Sequence, residues 1–225
     1  MKQQKSTSTS LKILRNNLIN LDRKKIPERS NFKLIQDGYC EMLKKYAPFI
    51  TTAATLTFKT SDMIVLNKRN GNKKYDLNDL SKCSDLPEFR FRAYLDDYKI
   101  TNSLTYFTSR MNHYCFGKAS TRKKTRDESR LLILFFIEGD GIRKHKHVHV
   151  AIGNIPDKYV HCIEHIIKKA WSECDFSNSQ QDVRPAYNAQ GWLNYELKEV
   201  GYGNTDVFNV VHSCIPRSIE NSVCT

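Results

Sequence analysis

His147 and His149 stand either side of a valine in the stretch LLILFFIEGDGIRKHKHVHVAIG, residues 131–153. Side chains alternate along a strand, so the two imidazoles share one face while Val148 and Val150 take the other. The stretch reads as two strands and a turn. Residues 131–137 are an unbroken apolar run of β-branched and aromatic side chains that stops at Gly139-Asp140-Gly141. Residues 147–152 form the second strand, and the basic turn 142–146 joins them. Directly opposed residues of an antiparallel hairpin share a face, so Glu138 opposite either histidine joins them there. Two imidazoles and one carboxylate suit a divalent ion such as Mn2+ or Zn2+, with coordination positions left open for substrate. A lone His-X-His on a strand is more often surface or packed histidine than a metal site, and the rest of the chain has to decide between the two.

Tyr195 and Lys198 form a Tyr-X-X-Lys pair, which taken alone is a very weak signal. Asn188 starts a helix through QGWLNYELKEV, residues 190–200, which Gly201 stops. Residues three apart share a helix face, so the lysine comes to the side of the phenol. Trp192, three residues earlier, can wedge the helix against a sheet. A phenol with an ordinary pKa near 10 attacks poorly unless positive charge is close, and Lys198 is the nearest cation in sequence. Its role is either to lower that pKa or to bind phosphate. Among eleven tyrosines the serious competitor is Tyr187, but it follows Pro185 on an expected edge strand with no lysine at helical spacing. His161, Glu164 and His165 match the H-x-x-E-H pattern of a zinc metalloprotease clan. They fall beside the buried stripe of their helix, towards solvent, and a protease leaves the central hairpin and the charge unexplained.

That charge is large: 36 Lys and Arg against 24 Asp and Glu, a net +12, which points to a polyanionic partner, nucleic acid above all. Forty per cent hydrophobic residues over 225 positions argue against wholesale disorder and allow a real core. Seven scattered cysteines with no Cys-X-X-Cys read as reduced thiols. No signal peptide, membrane-length apolar run or internal repeat is evident, so no membrane role is expected.

The elements that must position these residues follow from periodicity. Residues 1–10 read as a basic arm, 11–22 as a helix, and 31–46 as a second helix ended by Pro48, both expected to pack on the domain. Residues 53–59, ending in ATLTFK, alternate as a strand. Asn70-Gly71 signals a hairpin between residues 63–67 and 73–75, a basic insertion. FRFRAY, residues 89–94, suits a half-buried strand or a base-stacking surface. Residues 100–116 and 156–174 read as helices, 182–187 as an edge strand, and VFNVVH as one last strand before the chain frays. The order strand, helix, strand-turn-strand, helix, strand predicts an α+β fold, a ferredoxin-like split β-α-β-β-α-β unit with the 131–138 and 147–152 strands at the sheet centre. The expected division is a basic arm and accessory helices at 1–48, a main domain at 49–205 and a tail at 206–225.

TLTF (residues 55–58), HVHV (147–150) after Glu138, and YELK (195–198) occur in that order. In this the chain resembles the HUH endonucleases, specifically the single-tyrosine initiators (Rep proteins) of rolling-circle replication. The resemblance covers residues 55–198. It implies the split fold and a nickase and strand-transferase activity on single-stranded or hairpin DNA at a replication origin. By the same carry-over Glu138, His147 and His149 hold a divalent ion (Mn2+ or Mg2+), Tyr195 is the nucleophile that forms a 5′-phosphotyrosine, and Lys198 assists it. A host helicase and polymerase are further expected partners, since no helicase-like Gly-rich phosphate loop is present. The expected compartment is the bacterial cytoplasm, or the nucleus for a eukaryotic virus. Three rivals stay open: a transposase using the same site, a conjugative relaxase, which usually places its tyrosine near the N-terminus and carries three histidines, and a basic DNA- or RNA-binding module without catalysis. His145 departs from the pattern as a third histidine in alternation, binding metal or extending the basic turn.

Overall fold

A computed structural model describes residues 29–66, 89–122, 124–125, 127–139 and 145–223. Its organising strand is β1, Ile50–Phe58, in which Ala54, Leu56 and Phe58 are buried on one face while Ala53, Thr55 and Thr57 point to the other. The short hairpin β2 (Ser61–Leu66) and β3 (Phe89–Tyr94) follows, forming a separate two-stranded ribbon. Next come β4 (Leu132–Glu138), β5 (His147–Gly153) and β6 (Ser177–Pro185). The main sheet is four-stranded, in the order β4-β5-β1-β6, and antiparallel throughout.

The helices cover both faces, giving a mixed α+β architecture. Helix α2 (Asp97–Phe116) and helix α4 (Ile163–Ser172) pack on the face carrying Leu56, Ile133, Phe135, Val148 and Val150. Phe107, Phe135 and Trp171 meet edge to face in this layer. The opposite face carries Leu132, Leu134, Phe136 and Ala151. It is covered by α1 (Arg29–Lys44), α5 (Ala189–Glu196) and the C-terminal segment with α6 (Arg217–Val223). The unbroken apolar run of β4 follows from this, because a strand covered on both faces has no side to leave polar.

Several expectations shift in register or extent. The strand at 131–138 lies at the edge of the sheet, not its centre; β5 and β1 are the inner pair. That edge is closed by the C-terminal segment, where Ile133 and Cys214 exchange backbone hydrogen bonds and Phe136 bridges Phe208. The segment does not fray: Val207, Phe208, Cys214 and Ile219 are buried. An exposed edge of apolar β4 would invite pairing with another chain, and this cover prevents it. The helix expected at 156–174 breaks in two, α3 (Asp157–Val160) and α4, because the Cys162 amide turns back to the Tyr159 carbonyl and resets the ladder. The partner of residues 61–66 is β3, while the Asn70-Gly71 turn and residues 73–75 lie outside the described residues, as does the helix read at 11–22.

Two glycines carry the geometry around β4 and β5. Gly139, at φ +92°, takes the left-handed conformation that ends β4 directly after Glu138. Gly153 lies where a Cβ would sit 2.1 Å from the Phe49 carbonyl oxygen, itself backbone that cannot swing aside. Gly153→Ala should therefore destabilise the chain by about 1–3 kcal/mol through forced overpacking. Urea unfolding measures this, and a wild-type midpoint would contradict the packing described.

Candidate metal centre

Register explains how the cluster forms. Glu138 pairs with His147 and Phe136 with His149 across β4 and β5, so both imidazoles and the carboxylate emerge on the face covered by α5. Glu138 Oε2 lies 3.7 Å from His147 Nε2 and 3.9 Å from His149 Nε2. One ligand atom from each of the three residues lies within 4.8 Å of the others, and together they can hold a metal ion. Among the described residues His145, His161, Glu164 and His165 join no such cluster, and the last three are exposed.

Each imidazole is oriented from behind. His147 Nδ1 lies 3.0 Å from the His145 carbonyl oxygen. A carbonyl can only accept, so Nδ1 carries a proton, and Nε2 is the nitrogen turned towards the Glu138 carboxylate, which it meets as a donor or across a cation. The third histidine thus contributes its backbone. His149 Nδ1 lies 3.0 Å from Thr55 Oγ1, and Thr55 pairs with His149 in the β1–β5 register. The hydroxyl can donate to Nδ1 or accept from it, and where it accepts, Nε2 is free for a ligand. Hydrogen-bonded imidazoles of this kind are what metal sites use to fix tautomer and ring angle. The donor set therefore fits a divalent ion.

Electrostatics around the cluster are uneven. Burial alone would raise the Glu138 carboxyl, but His147 and a hydrogen bond from Lys198 outweigh it and hold it down at about 2. Glu138 in turn raises His147 above its ordinary value, while burial pushes His149 down to about 4, keeping it neutral. Lys198 Nζ donates to Glu138 Oε1 at 2.7 Å and sits 4.1 Å from the centre of the Tyr195 ring. Its pKa is raised: Glu138 outweighs the burial that works the other way, so it is a cation and not a base. The Tyr195 side chain is 61% exposed and reachable from solvent.

Helix α5 is shorter than its periodicity suggests and ends at Glu196. Gln36 of α1 captures the Leu197 carbonyl at 2.9 Å, and the Lys198 amide turns back three residues to the Tyr195 carbonyl. Lys198 reaches the phenol's side through this tight turn instead of a full α-helical one. At the other end Asn188 caps the helix by accepting from the Gly191 amide. Trp192 packs edge to face on Phe136, with ring centres 5.8 Å apart, and anchors the helix on the sheet.

Sequence reasoning missed Glu196. It is buried to 1% exposure, its Oε2 has no hydrogen-bond partner, and that oxygen lies 3.6 Å from His149 Nε2. Burial, with Glu138 nearby, pushes its carboxyl up to about 7. A signal was present: Leu193, Glu196, Leu197 and Val200 fall at spacings of three and four, and all four are buried. A carboxylate on an apolar stripe asks for a reason.

Beside the cluster, a cleft of about 470 Å³ is lined by Thr55, Asp182, Arg184, Tyr187, Asn188 and Trp192 among others. Thr55 and Trp192 connect it to His149, whose ring is 6.5 Å from that of Trp192. Tyr187 is 94% exposed at its rim. Among the described residues no helix is long and apolar enough to cross a membrane. No family model, curated protein or solved structure matches the chain.

The orphaned carboxyl sets a pH dependence. Glu196 has a folded pKa of about 7 against an ordinary 4.5, so its stabilising effect is complete below 4.5 and lost as pH rises through 7. Glu138, His147, His149 and Lys198 face it and are unchanged in Glu196→Gln, which cannot ionise. In chelator, calorimetry should find Glu196→Gln melting several degrees above wild type at pH 8, with the gap shrinking towards pH 5. Equal melting temperatures at pH 8 would contradict a buried, unpartnered carboxylate.

Proposed function

We propose that this chain is a metal-dependent, single-stranded DNA nickase and strand transferase of the HUH type, initiating rolling-circle replication, with residues 49–205 as its endonuclease domain. The observation that carries the reading is Lys198, whose ammonium touches Glu138 at 2.7 Å and the Tyr195 ring at 4.1 Å. It joins the acid-histidine cluster to an exposed phenol on a different element. The strand order β6-β1-β5-β4, with α2 crossing from β1 to β4 and α4 from β5 to β6, supports a ferredoxin-like split unit with β2–β3 inserted after its first strand.

A divalent ion (Mn2+ or Mg2+) held by Glu138, His147 and His149 supplies polarisation of the scissile phosphate. The protein's own groups do the rest. Tyr195 Oη attacks phosphorus in line with the leaving oxygen; the new P–Oη bond forms as the P–O3′ bond breaks. The phenol gives up its proton and the departing 3′ oxygen takes one up. The product is a 5′-phosphotyrosine and a free 3′-OH, and the reverse attack by a 3′-OH rejoins the strand. Lys198, held protonated, faces the negative charge that develops on the phenol oxygen and the phosphate. The cleft beside Trp192 and Tyr187 suits the unpaired nucleotides next to the scissile bond, where aromatic rings can stack on bases. Thr55 gives the TLTF segment its task, which is to orient His149.

A nicking assay on single-stranded DNA with Mn2+ tests the proposal. Wild type should yield a covalent protein–DNA adduct. Tyr195→Phe should abolish it with DNA binding retained, and Tyr187→Phe should keep most cleavage. Binding without cleavage by wild type would leave the basic binding module as the better reading. DNA affinity should also fall steeply between about 50 and 200 mM salt, because the net charge of +12 implies phosphate neutralisation. A flat salt dependence would contradict that origin of affinity.

A further inference from the structure

We infer that Glu196 is a fourth ligand, completing a two-histidine, two-carboxylate divalent-cation site with Glu138, His147 and His149. The inference rests on the metal centre proposed above and deepens it. Three observations converge. Glu196 is almost wholly buried, its Oε2 has no hydrogen-bond partner, and it is aimed at His149 Nε2 from 3.6 Å. Thr55 holds the other nitrogen of that ring, and when Nδ1 donates to it Nε2 presents a lone pair to a carboxylate oxygen. An ionised Glu196 and that lone pair face each other as two acceptors, an arrangement that a cation between them satisfies.

The spacing to His149 suits a shared cation, while Glu196 stands outside the trio whose ligand atoms all lie within 4.8 Å of one another. Donor atoms at about 2.0–2.2 Å from one ion lie roughly 3–3.6 Å from each other. Glu196 Oε2 meets that spacing to His149 Nε2 better than Glu138 Oε2 does, at 3.6 against 3.9 Å. The approach is also independent of the hairpin. Glu138, His147 and His149 come from β4 and β5, whereas Glu196 enters from the end of α5, one residue after Tyr195. A shared ion would tie the nucleophile's helix to the sheet. Two carboxylates also balance the charge of a divalent ion, leaving Lys198 as the net positive charge beside Tyr195.

Titration of the full chain with Mn2+ alone, followed by calorimetry and by electron paramagnetic resonance, tests this. Glu196→Gln keeps the shape and removes the charge; it should weaken Mn2+ binding at least about tenfold. Glu196→Asp, which withdraws the carboxylate, should also bind more weakly than wild type, and covers the case in which the glutamine variant folds poorly. Glu199→Gln, whose carboxylate accepts from Asn204 at 3.2 Å, controls for loss of a nearby negative charge and should bind as wild type. Wild-type affinity in Glu196→Gln, with loss in Glu138→Gln and His147→Ala, overturns the fourth ligand and leaves the three-residue centre standing. Absence of Mn2+ binding by wild type overturns the metal centre itself.

Discussion

The structure turns on one buried carboxylate. Glu138 ends a strand whose other residues are apolar, and its side chain is 6% exposed, so its charge needs compensation within the protein. His147 and His149 face it from β5 and Lys198 reaches it from beyond α5. That single requirement holds an antiparallel hairpin and a helix from sixty residues later in one arrangement. Removing Lys198 would take from Glu138 the ammonium 2.7 Å away, which couples the position of the α5 turn to the state of the cluster.

The two faces of the sheet divide the labour. The α2–α4 face is an apolar layer closed by Phe107, Phe135 and Trp171. The face under α1, α5 and the C-terminal segment is apolar at one end of β4 and β5 and ionisable at the other. Alternation within β4 makes this possible: Phe135 serves one layer, Phe136 the other, and Glu138 two residues on carries Phe136's face into the site. Cover of the β4 edge by residues around Val207 and Cys214 keeps that strand rigid up to Glu138. A site held by rigid elements keeps its geometry better than one carried on loops.

What could be read from residues alone was the local pattern. The period-two placement of His147 and His149, the apolar run before Glu138 and their shared face all reappear in the β4–β5 register. The helix carrying Tyr195 and its asparagine cap were also legible. What was hidden depended on contacts distant in sequence. The edge position of β4 is set by pairing with residues near 207–214, and the early end of α5 by Gln36, neither of which leaves a periodic trace. Glu196 escaped because Tyr-X-X-Lys draws attention to its ends, whereas the buried stripe of α5 runs through its middle. The hairpin inferred from Asn70-Gly71 lies outside the described residues, and the pairing of β2 with β3, more than twenty residues further along, is another contact that leaves no periodic trace.

The account's central claim is that the phenol beside Lys198 is the group that joins DNA. Proteolysis of the adduct trapped on single-stranded DNA with Mn2+, followed by mass spectrometry, reads this directly. The nucleotide-modified peptide should contain Tyr195. A modified peptide that carries Tyr187 and not Tyr195 would contradict the claim.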